Sequence, residues 1–132
     1  MSITSAETLV QRANESVETL SPQQAIEQSS GQNGVLVDIR DIRELQRDGR
    51  LVDSLHAPRG MLEFWFDPQC EYHRNVFDQP DKKFILFCAA GWRSALAAKS
   101  LVEMGFGNIA HIDGGFGAMK DAGATLVDEE AD

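Results

Sequence analysis

The sequence predicts an α/β fold, a three-layer sandwich in which a mainly parallel sheet of about five strands carries helices on both faces. Two observations predict it. Short unbroken apolar runs, typical of strands that helices cover on both sides, recur along the chain. Helix-capping patterns stand between these runs, so strands and helices alternate, which favours parallel strands joined by right-handed crossovers.

Residue pairs with the spacing of a capping box predict three helix starts. The pairs are Thr4 and Glu7, Ser21 and Gln24, and Asp41 and Glu44. Pro22 supports the second start, because proline at the first helical position loses no useful N–H group. Gly31 and Gly49 are expected to end the second and third helices, since glycine readily adopts the left-handed conformation at a helix end.

The apolar runs predict strands at 35–37, 84–87 and 109–112, with weaker candidates at 17–20 and 55–57. Residues 94–104 have apolar side chains at helical spacing, and Gly105 follows as a stop. Residues 58–82 contain three prolines and predict a long connection over the sheet, with a short helix at 61–66.

The 132 residues, 42% of them apolar, are sufficient for one domain with one ordinary core. We expect an N-terminal helical extension at 1–16, a domain at 17–127 and a frayed acidic tail at 128–132. The extension carries an apolar stripe, which would either pack on the domain or form a dimer contact. Monomer and homodimer therefore both stay open.

The chain has 12 basic and 21 acidic residues, a net charge of -9. This balance argues against a nucleic-acid or anionic-membrane partner, which would need a basic face. No apolar run approaches the roughly 20 residues of a membrane helix, and the N-terminus has no secretion-signal pattern. We therefore expect a cytoplasmic protein whose two cysteines, Cys70 and Cys88, are free thiols.

Cys88 is the strongest candidate for chemistry because it directly follows the most apolar strand and precedes a helix by a short turn. Ligands bind at the carboxyl ends of strands in such sheets, and a tight loop entering a helix directs backbone N–H groups at an anion. That field would lower the pKa of the Cys88 thiol, with Arg93 adding a cation and Gly91 allowing close backbone approach. The alternative is that Cys88 is only a small buried apolar residue.

The loop sequence resembles the active-site loop of the rhodanese superfamily: a cysteine, four residues, then Arg-Ser, between a buried strand and a helix. It reads Cys88-Ala89-Ala90-Gly91-Trp92-Arg93-Ser94. Further similar segments follow the family's order: Val37-Asp38-Ile39-Arg40 with Glu44, Ala57-Pro58-Arg59-Gly60, and Asp113-Gly114-Gly115 with Gly123. The likeness covers about residues 18–125. Two departures are 52–55, where the family commonly has Ile-Pro-Gly-Ala, and Met119, where tryptophan is frequent.

The resemblance implies a sulfurtransferase of rhodanese-like fold that needs no metal or cofactor. Cys88 would take sulfur from a small sulfane-sulfur donor, thiosulfate or a persulfide, and carry it as a persulfide to cyanide, a thiol or an acceptor protein. Residues 89–94 would form the anion cradle, while Asp38, Arg40 and Arg59 would be supporting residues. Ala89 and Ala90 lack the charge that holds a sulfonate, so a low-molecular-weight or protein persulfide is at least as good a donor as thiosulfate.

Two other functions stay open. Cysteine-dependent phosphatases place five residues between cysteine and arginine, whereas this loop has four, so its cradle is expected to be too tight for phosphate. A protein-interaction module without turnover would use apolar surface at 61–66 and 105–108. Inactive family members usually lose the cysteine, which this chain retains.

Several side chains have a structural interpretation beside a functional one. Ser94 is interpreted as the N-cap of its helix, and Trp92 as either a loop-rim residue or packing on the loop's flank. Cys70 and His73 have the spacing of two zinc ligands, but two ligands do not make a site, so we interpret them as residues of a surface loop. A second hypothesis for Cys70 is that it resolves a persulfide or disulfide at Cys88. His111 and His56 are interpreted as satisfied structural histidines, not catalytic bases.

Overall fold

The computed structural model describes residues 2–31 and 33–127, so the predicted acidic tail at 128–132 lies outside the described residues. The elements, in chain order, are α1 (Ala6–Ser16), β1 (Glu18–Leu20), α2 (Pro22–Ser29), β2 (Gly34–Asp38), α3 (Ile42–Asp48), β3 (Leu55–His56), α4 (Leu62–Phe66), β4 (Lys83–Phe87), α5 (Trp92–Glu103), β5 (Ile109–Ile112) and α6 (Gly115–Asp121). All five predicted strands are present, within one or two residues of their expected limits.

The sheet has the strand order β1-β5-β4-β2-β3, and every neighbouring pair is parallel. This confirms the predicted α/β fold. The central strand is β4, in which Leu86 lies level with Val37 of β2 and His111 of β5. Because all strands run in one direction, the residues that follow β2, β3, β4 and β5 meet at the same edge of the sheet.

Helices cover both faces of the sheet. Alternate side chains of β4 enter two separate cores: Phe84 and Leu86 pack with α4 and α5, whereas Ile85 and Phe87 pack with α2 and α6. Helix α1 lies outside α5, where Val10 and Ala13 pack against Ala95. Within the described residues, no helix combines the length and apolar character needed to cross a membrane.

The capping signals predict two helix starts correctly and one incorrectly. Ser21 and Asp41 both form the reciprocal bonds of a capping box. The first start was wrong by one residue: Ser5, not Thr4, is the N-cap of α1, and its Oγ accepts the N–H of Thr8 at 3.0 Å. Adjacent Thr and Ser are both good caps, so spacing alone does not choose between them.

The long connection before β4 contains the predicted short helix, α4, preceded by a 3-10 turn at Arg59–Met61. Leu62 and Phe66 are buried, and the Phe66 ring stacks on Phe77 with centroids 4.2 Å apart. Phe106 meets Phe66 edge-on. The two segments considered as apolar partner surfaces therefore give much of their apolar area to the core, although Phe64 is exposed.

The turn before β3 differs from the family pattern, as its sequence indicates. Asp53 adopts a left-handed conformation with φ of 62°, and the Ser54 hydroxyl donates to the Leu51 carbonyl at 2.7 Å. Aspartate tolerates this conformation better than most residues with a side chain. The turn thus forms without the proline and glycine common in the family.

Gly115 is the residue at which the closing turn touches the cysteine loop. Its φ is 62°, and a Cβ there would collide with the Cys88 carbonyl oxygen and lie 2.8 Å from the backbone of Ala89. Gly123 also has a positive φ, 96°, but a Cβ there meets nothing within 4 Å. A side chain at Gly123 would thus meet only backbone strain, whereas one at Gly115 would meet both backbone strain and a steric collision.

We expect Gly115→Ala to lower the free energy of unfolding clearly more than Gly123→Ala. Gly123→Ala should cost about 1 kcal/mol from its positive φ. Gly115→Ala should cost a further 1–3 kcal/mol or so, because backbone must move to relieve the overlap. Urea denaturation of both variants measures the difference, and equal losses would contradict a close contact between this turn and the loop.

Candidate active site

The loop after β4 is held from outside by the start of α6. The N–H groups of Phe116 and Gly117 donate to the carbonyl oxygens of Cys88 and Ala89, at 2.7 and 3.3 Å. These carbonyls therefore face α6, which leaves the amides that follow free to face the opposite side. Gly91 completes the turn with a φ of 108°, and a Cβ there would lie 3.3 Å from the Gly114 nitrogen.

The inward amides of the loop converge on the sulfur of Cys88. The Gly91 N–H donates to Sγ at 3.1 Å, and the Ser94 hydroxyl oxygen lies 3.7 Å from Sγ. Burial of Cys88, which is 1% exposed, raises the pKa of its thiol, but hydrogen bonds from the backbone of Ser94, Gly91 and Ala90 and from the Ser94 hydroxyl outweigh it. The net result is a lowered pKa, as required of a nucleophilic thiolate.

The interpretation of Ser94 as the N-cap of α5 is wrong. The helix begins two residues earlier, at Trp92, and Gly91 is its N-cap residue. Ser94 therefore lies in the first turn and is fully buried, with its hydroxyl 3.0 Å from Nδ1 of His111 and 3.3 Å from the Gly91 carbonyl oxygen. A glycine at the cap position leaves the serine hydroxyl free to face the sulfur and the histidine.

Arg93 is fixed by Glu44, which also caps α3. The guanidinium donates to both carboxylate oxygens of Glu44 at 2.8 and 3.0 Å, and Glu44 also accepts the Asp41 N–H. The hydrogen bonds from Arg93 lower the pKa of Glu44. Glu44 raises the pKa of Arg93, and the neighbouring Cys88 adds to this effect. One carboxylate thus joins the beginning of α3 to the beginning of α5.

The predicted supporting residues Asp38 and Arg40 form a fully buried ion pair that does not bond to the sulfur. Arg40 donates to both oxygens of Asp38 and, at 2.8 Å, to the Gly49 carbonyl. Its guanidinium lies 4.0 Å from the ring centroid of Phe116, the residue whose N–H holds the Cys88 carbonyl. The pair therefore supports the loop through α6.

The other predicted residues are Arg59, which lies in another segment, and three residues at the outer surface of the loop. Arg59 pairs with Glu63 at 2.9 Å in the segment after β3. Trp92 is 56% exposed, which agrees with a position at the loop rim and not with packing on its flank. Ala89 and Ala90 are also exposed. The outer surface of the loop is thus neutral and in part apolar.

His111 is buried and has both ring nitrogens bonded, as expected of a structural histidine. Its connection through Ser94 to the sulfur was not expected from the sequence. The partner of its other nitrogen, Asn14, lies in α1 and was not considered at all. No local pattern joins residues 14, 94 and 111, and the packing of α1 on α5 and the pairing of β1 with β5 bring them together.

The surface cavity, His73 and Cys70 lie apart from this loop. A surface cavity of about 350 Å³ is lined by the start of β2, Leu51 and Met119, and includes no residue of the loop. Nε2–H of His73 donates to the Asp78 carboxylate at 2.8 Å, and Cys70 is a free thiol, as is Cys88. Within residues 2–31 and 33–127, no three His, Cys, Asp or Glu side chains are grouped to hold a metal ion.

Comparisons with known proteins agree with this geometry. A family model described as rhodanese-like domain matches residues 21–122. A solved structure from Rhodopseudomonas palustris, a protein of unknown function and possible tyrosine phosphatase, is 47% identical with a TM-score of 0.88, over 96% of this chain and 98% of that one. No curated protein matches the chain.

Two solved structures of lower identity share the fold. The thiosulfate sulfurtransferase of Pseudomonas aeruginosa is 21% identical with a TM-score of 0.74, over 90% of this chain and 21% of that chain. The polysulfide-sulfur transferase homodimer of Wolinella succinogenes is 24% identical with a TM-score of 0.65, over 93% and 87% of the two chains. With the family model spanning most of its length, the chain belongs to the rhodanese-like domain family.

Proposed function

We propose that this chain is a sulfurtransferase in which Cys88 carries a sulfane sulfur as a persulfide. The observation that supports it best is the amide cradle around a buried sulfur with a lowered pKa. The Gly91 amide donates to Sγ at 3.1 Å, and the Ser94 and Ala90 amides also favour the thiolate, so the cradle stabilises negative charge at the sulfur itself. Membership of the family and a fold shared with two sulfurtransferases support the same proposal.

The proposed reaction has two displacements at sulfur. The Cys88 thiolate attacks the outer sulfur of the donor, the donor's sulfur–sulfur bond breaks, and sulfite or a thiolate leaves with the bonding electrons. Cyanide, a thiolate or an acceptor protein then attacks the outer sulfur of the persulfide, which returns the Cys88 thiolate. Neither step needs a metal. The cradle faces an anion throughout, first the Cys88 thiolate, then the persulfide, then the thiolate again.

The charges around the loop favour a persulfide donor over thiosulfate. Each of the three arginines that could attract a sulfonate is already bonded to a carboxylate: Arg40 to Asp38, Arg59 to Glu63, and Arg93 to Glu44. The loop's own outward residues, Ala89 and Ala90, are neutral. We therefore propose a low-molecular-weight or protein persulfide as the preferred donor and a thiol or protein as the acceptor.

A phosphatase is the second candidate, because the 47% identical protein is a possible tyrosine phosphatase. The geometry of the cradle argues against a phosphatase. The Gly91 amide is directed at Sγ, and only four residues lie between Cys88 and Arg93, one fewer than in the phosphatase loops that surround a phosphoryl group. Turnover of an aryl phosphate by the purified protein, lost in Cys88→Ser, would establish this activity and overturn the sulfurtransferase proposal.

Incubation with glutathione persulfide should add one sulfur atom to Cys88. Intact-mass spectrometry should show this gain in the native chain and in Cys70→Ser, and its loss on addition of cyanide with formation of thiocyanate. Cys88→Ser should gain nothing. A gain that persists in Cys88→Ser, or a native chain that never gains sulfur, would overturn the proposed function.

The lowered pKa of Cys88 predicts reaction with iodoacetamide at lower pH than an ordinary thiol. The rate should fall as pH falls through that lowered pKa, because only the thiolate reacts, and its midpoint should lie below the ordinary value of about 8.5. The Cys70→Ser background restricts the reaction to Cys88. The same chain in concentrated urea is the control, and a midpoint equal to that of the unfolded chain would contradict the cradle.

Introducing a cation at the loop rim should improve the use of thiosulfate. Ala90→Lys is expected to lower KM for thiosulfate about threefold to tenfold, with little change in kcat, since an exposed charge acts mainly on encounter and binding. The effect should shrink in high salt. Ala90→Gln, of similar length without charge, is the matched control. An equal change in both variants would show that charge at the rim does not limit donor choice.

A further inference from the structure

A continuous chain of hydrogen bonds links α1 to the reactive sulfur. The Asn14 side-chain oxygen lies 2.7 Å from Nε2 of His111, and Nδ1 of the same ring lies 3.0 Å from the Ser94 hydroxyl oxygen. That oxygen is 3.7 Å from Sγ of Cys88. His111 and Ser94 are both buried, so water does not compete for the contacts between His111, Ser94 and Cys88.

The direction of each bond follows from Asn14. An amide oxygen only accepts hydrogen bonds, and the Thr19 hydroxyl donates to the same oxygen at 3.4 Å, so Nε2 of His111 carries a proton. In the neutral ring, Nδ1 is then an acceptor, and the Ser94 hydroxyl donates to it. The remaining lone pairs of Ser94 are available to the Cys88 thiol, which donates its S–H.

We propose that Ser94 and His111, oriented by Asn14, form a proton relay through which ionisation of Cys88 and protonation of His111 are a single event. The S–H bond of Cys88 breaks and its proton passes to Ser94 Oγ, while the proton of Ser94 passes to Nδ1 of His111. No electrons are gained or lost, and the total charge is unchanged. In the product, Nδ1–H donates to Ser94 and the Ser94 hydroxyl donates to the thiolate.

The relay answers an electrostatic problem of this site. A lone thiolate at a buried position is costly, whereas a thiolate and an imidazolium formed together add no net charge. Burial lowers the pKa of His111, opposed by the charge of Asp113, so the ring is neutral while Cys88 is a thiol, and the thiolate that forms is what favours its protonation. The groups that the neighbouring elements direct at the ring are neutral: Asn14 from α1, Thr19 from β1 and Ser94 from α5.

The residue that orients the relay precedes the part of the chain matched by the family model. That match begins at residue 21, whereas Asn14 and Thr19 lie in α1 and β1. The N-terminal extension would thereby tune the chemistry of Cys88, beyond packing on α5. The catalytic role of the relay rests on the proposed function, but its tests are titrations that do not require sulfur transfer.

The first test follows His111 by nitrogen-15 NMR of histidine-labelled protein. In the native chain, part of the His111 titration should occur in the pH range in which Cys88 ionises, because interacting sites titrate as a pair. In Cys88→Ser, which keeps a hydrogen-bonding side chain without an ionisable thiol, that step should be missing. An identical single step in both proteins overturns the relay, whether or not the chain transfers sulfur.

The second test uses Asn14, whose exposed position makes a substitution tolerable. In the Cys70→Ser background, Asn14→Asp should shift the iodoacetamide profile of Cys88 to lower pH by about half a unit or more, because a carboxylate at Nε2 favours the imidazolium. If the new carboxylate acted directly on the sulfur, its negative charge would raise the midpoint. The sign of the shift therefore distinguishes an effect through His111 from a direct effect on Cys88. Gln11→Glu, the same charge change elsewhere on α1, should leave the midpoint in place. An unchanged or higher midpoint in Asn14→Asp overturns the proposal.

Discussion

The geometry of the site depends on two hydrogen bonds, from the first amides of α6 to the carbonyl oxygens of Cys88 and Ala89. A short peptide loop directs either its carbonyls or its amides at its centre, and these bonds take the carbonyls away from it. The sulfur then meets N–H groups only. Both bonds require α6 to approach the loop more closely than a Cβ at Gly115 would allow, and Arg40 holds α6 there by lying on the ring of Phe116.

The site stabilises negative charge with dipoles more than with free cations. Arg93 stands beside Cys88, but its guanidinium is shared with Glu44, whose carboxylate offsets most of its field. Backbone amides carry no counter-ion and are held by the fold, so they need no reorganisation as charge moves between one sulfur and the next. A neutral entrance and a polar interior thus separate the surface that a donor would meet first from the groups that would stabilise the proposed persulfide.

The sequence predicted all five strands and five of the six helices in the described part of the chain, and the position of Cys88 after a buried strand, because each rests on local patterns such as apolar runs and capping boxes. It misplaced Ser94, since an N-terminal serine normally caps, and nothing local revealed that Gly91 takes that position. It also missed Asn14, which meets His111 across 97 positions of sequence. Contacts of that kind depend on the packing of α1 on α5 and the pairing of β1 with β5, which local residue patterns do not encode.

The sheet ends on both sides in very short strands, three residues in β1 and two in β3. Such edges offer few unpaired backbone groups, so a partner peptide gains little by adding itself to the sheet as a further strand. Any association with another protein would then depend on side chains, and the carboxyl edge of the sheet exposes the ring of Trp92 beside two alanines. Recognition at that edge would bring any visiting thiol directly to the mouth of the loop.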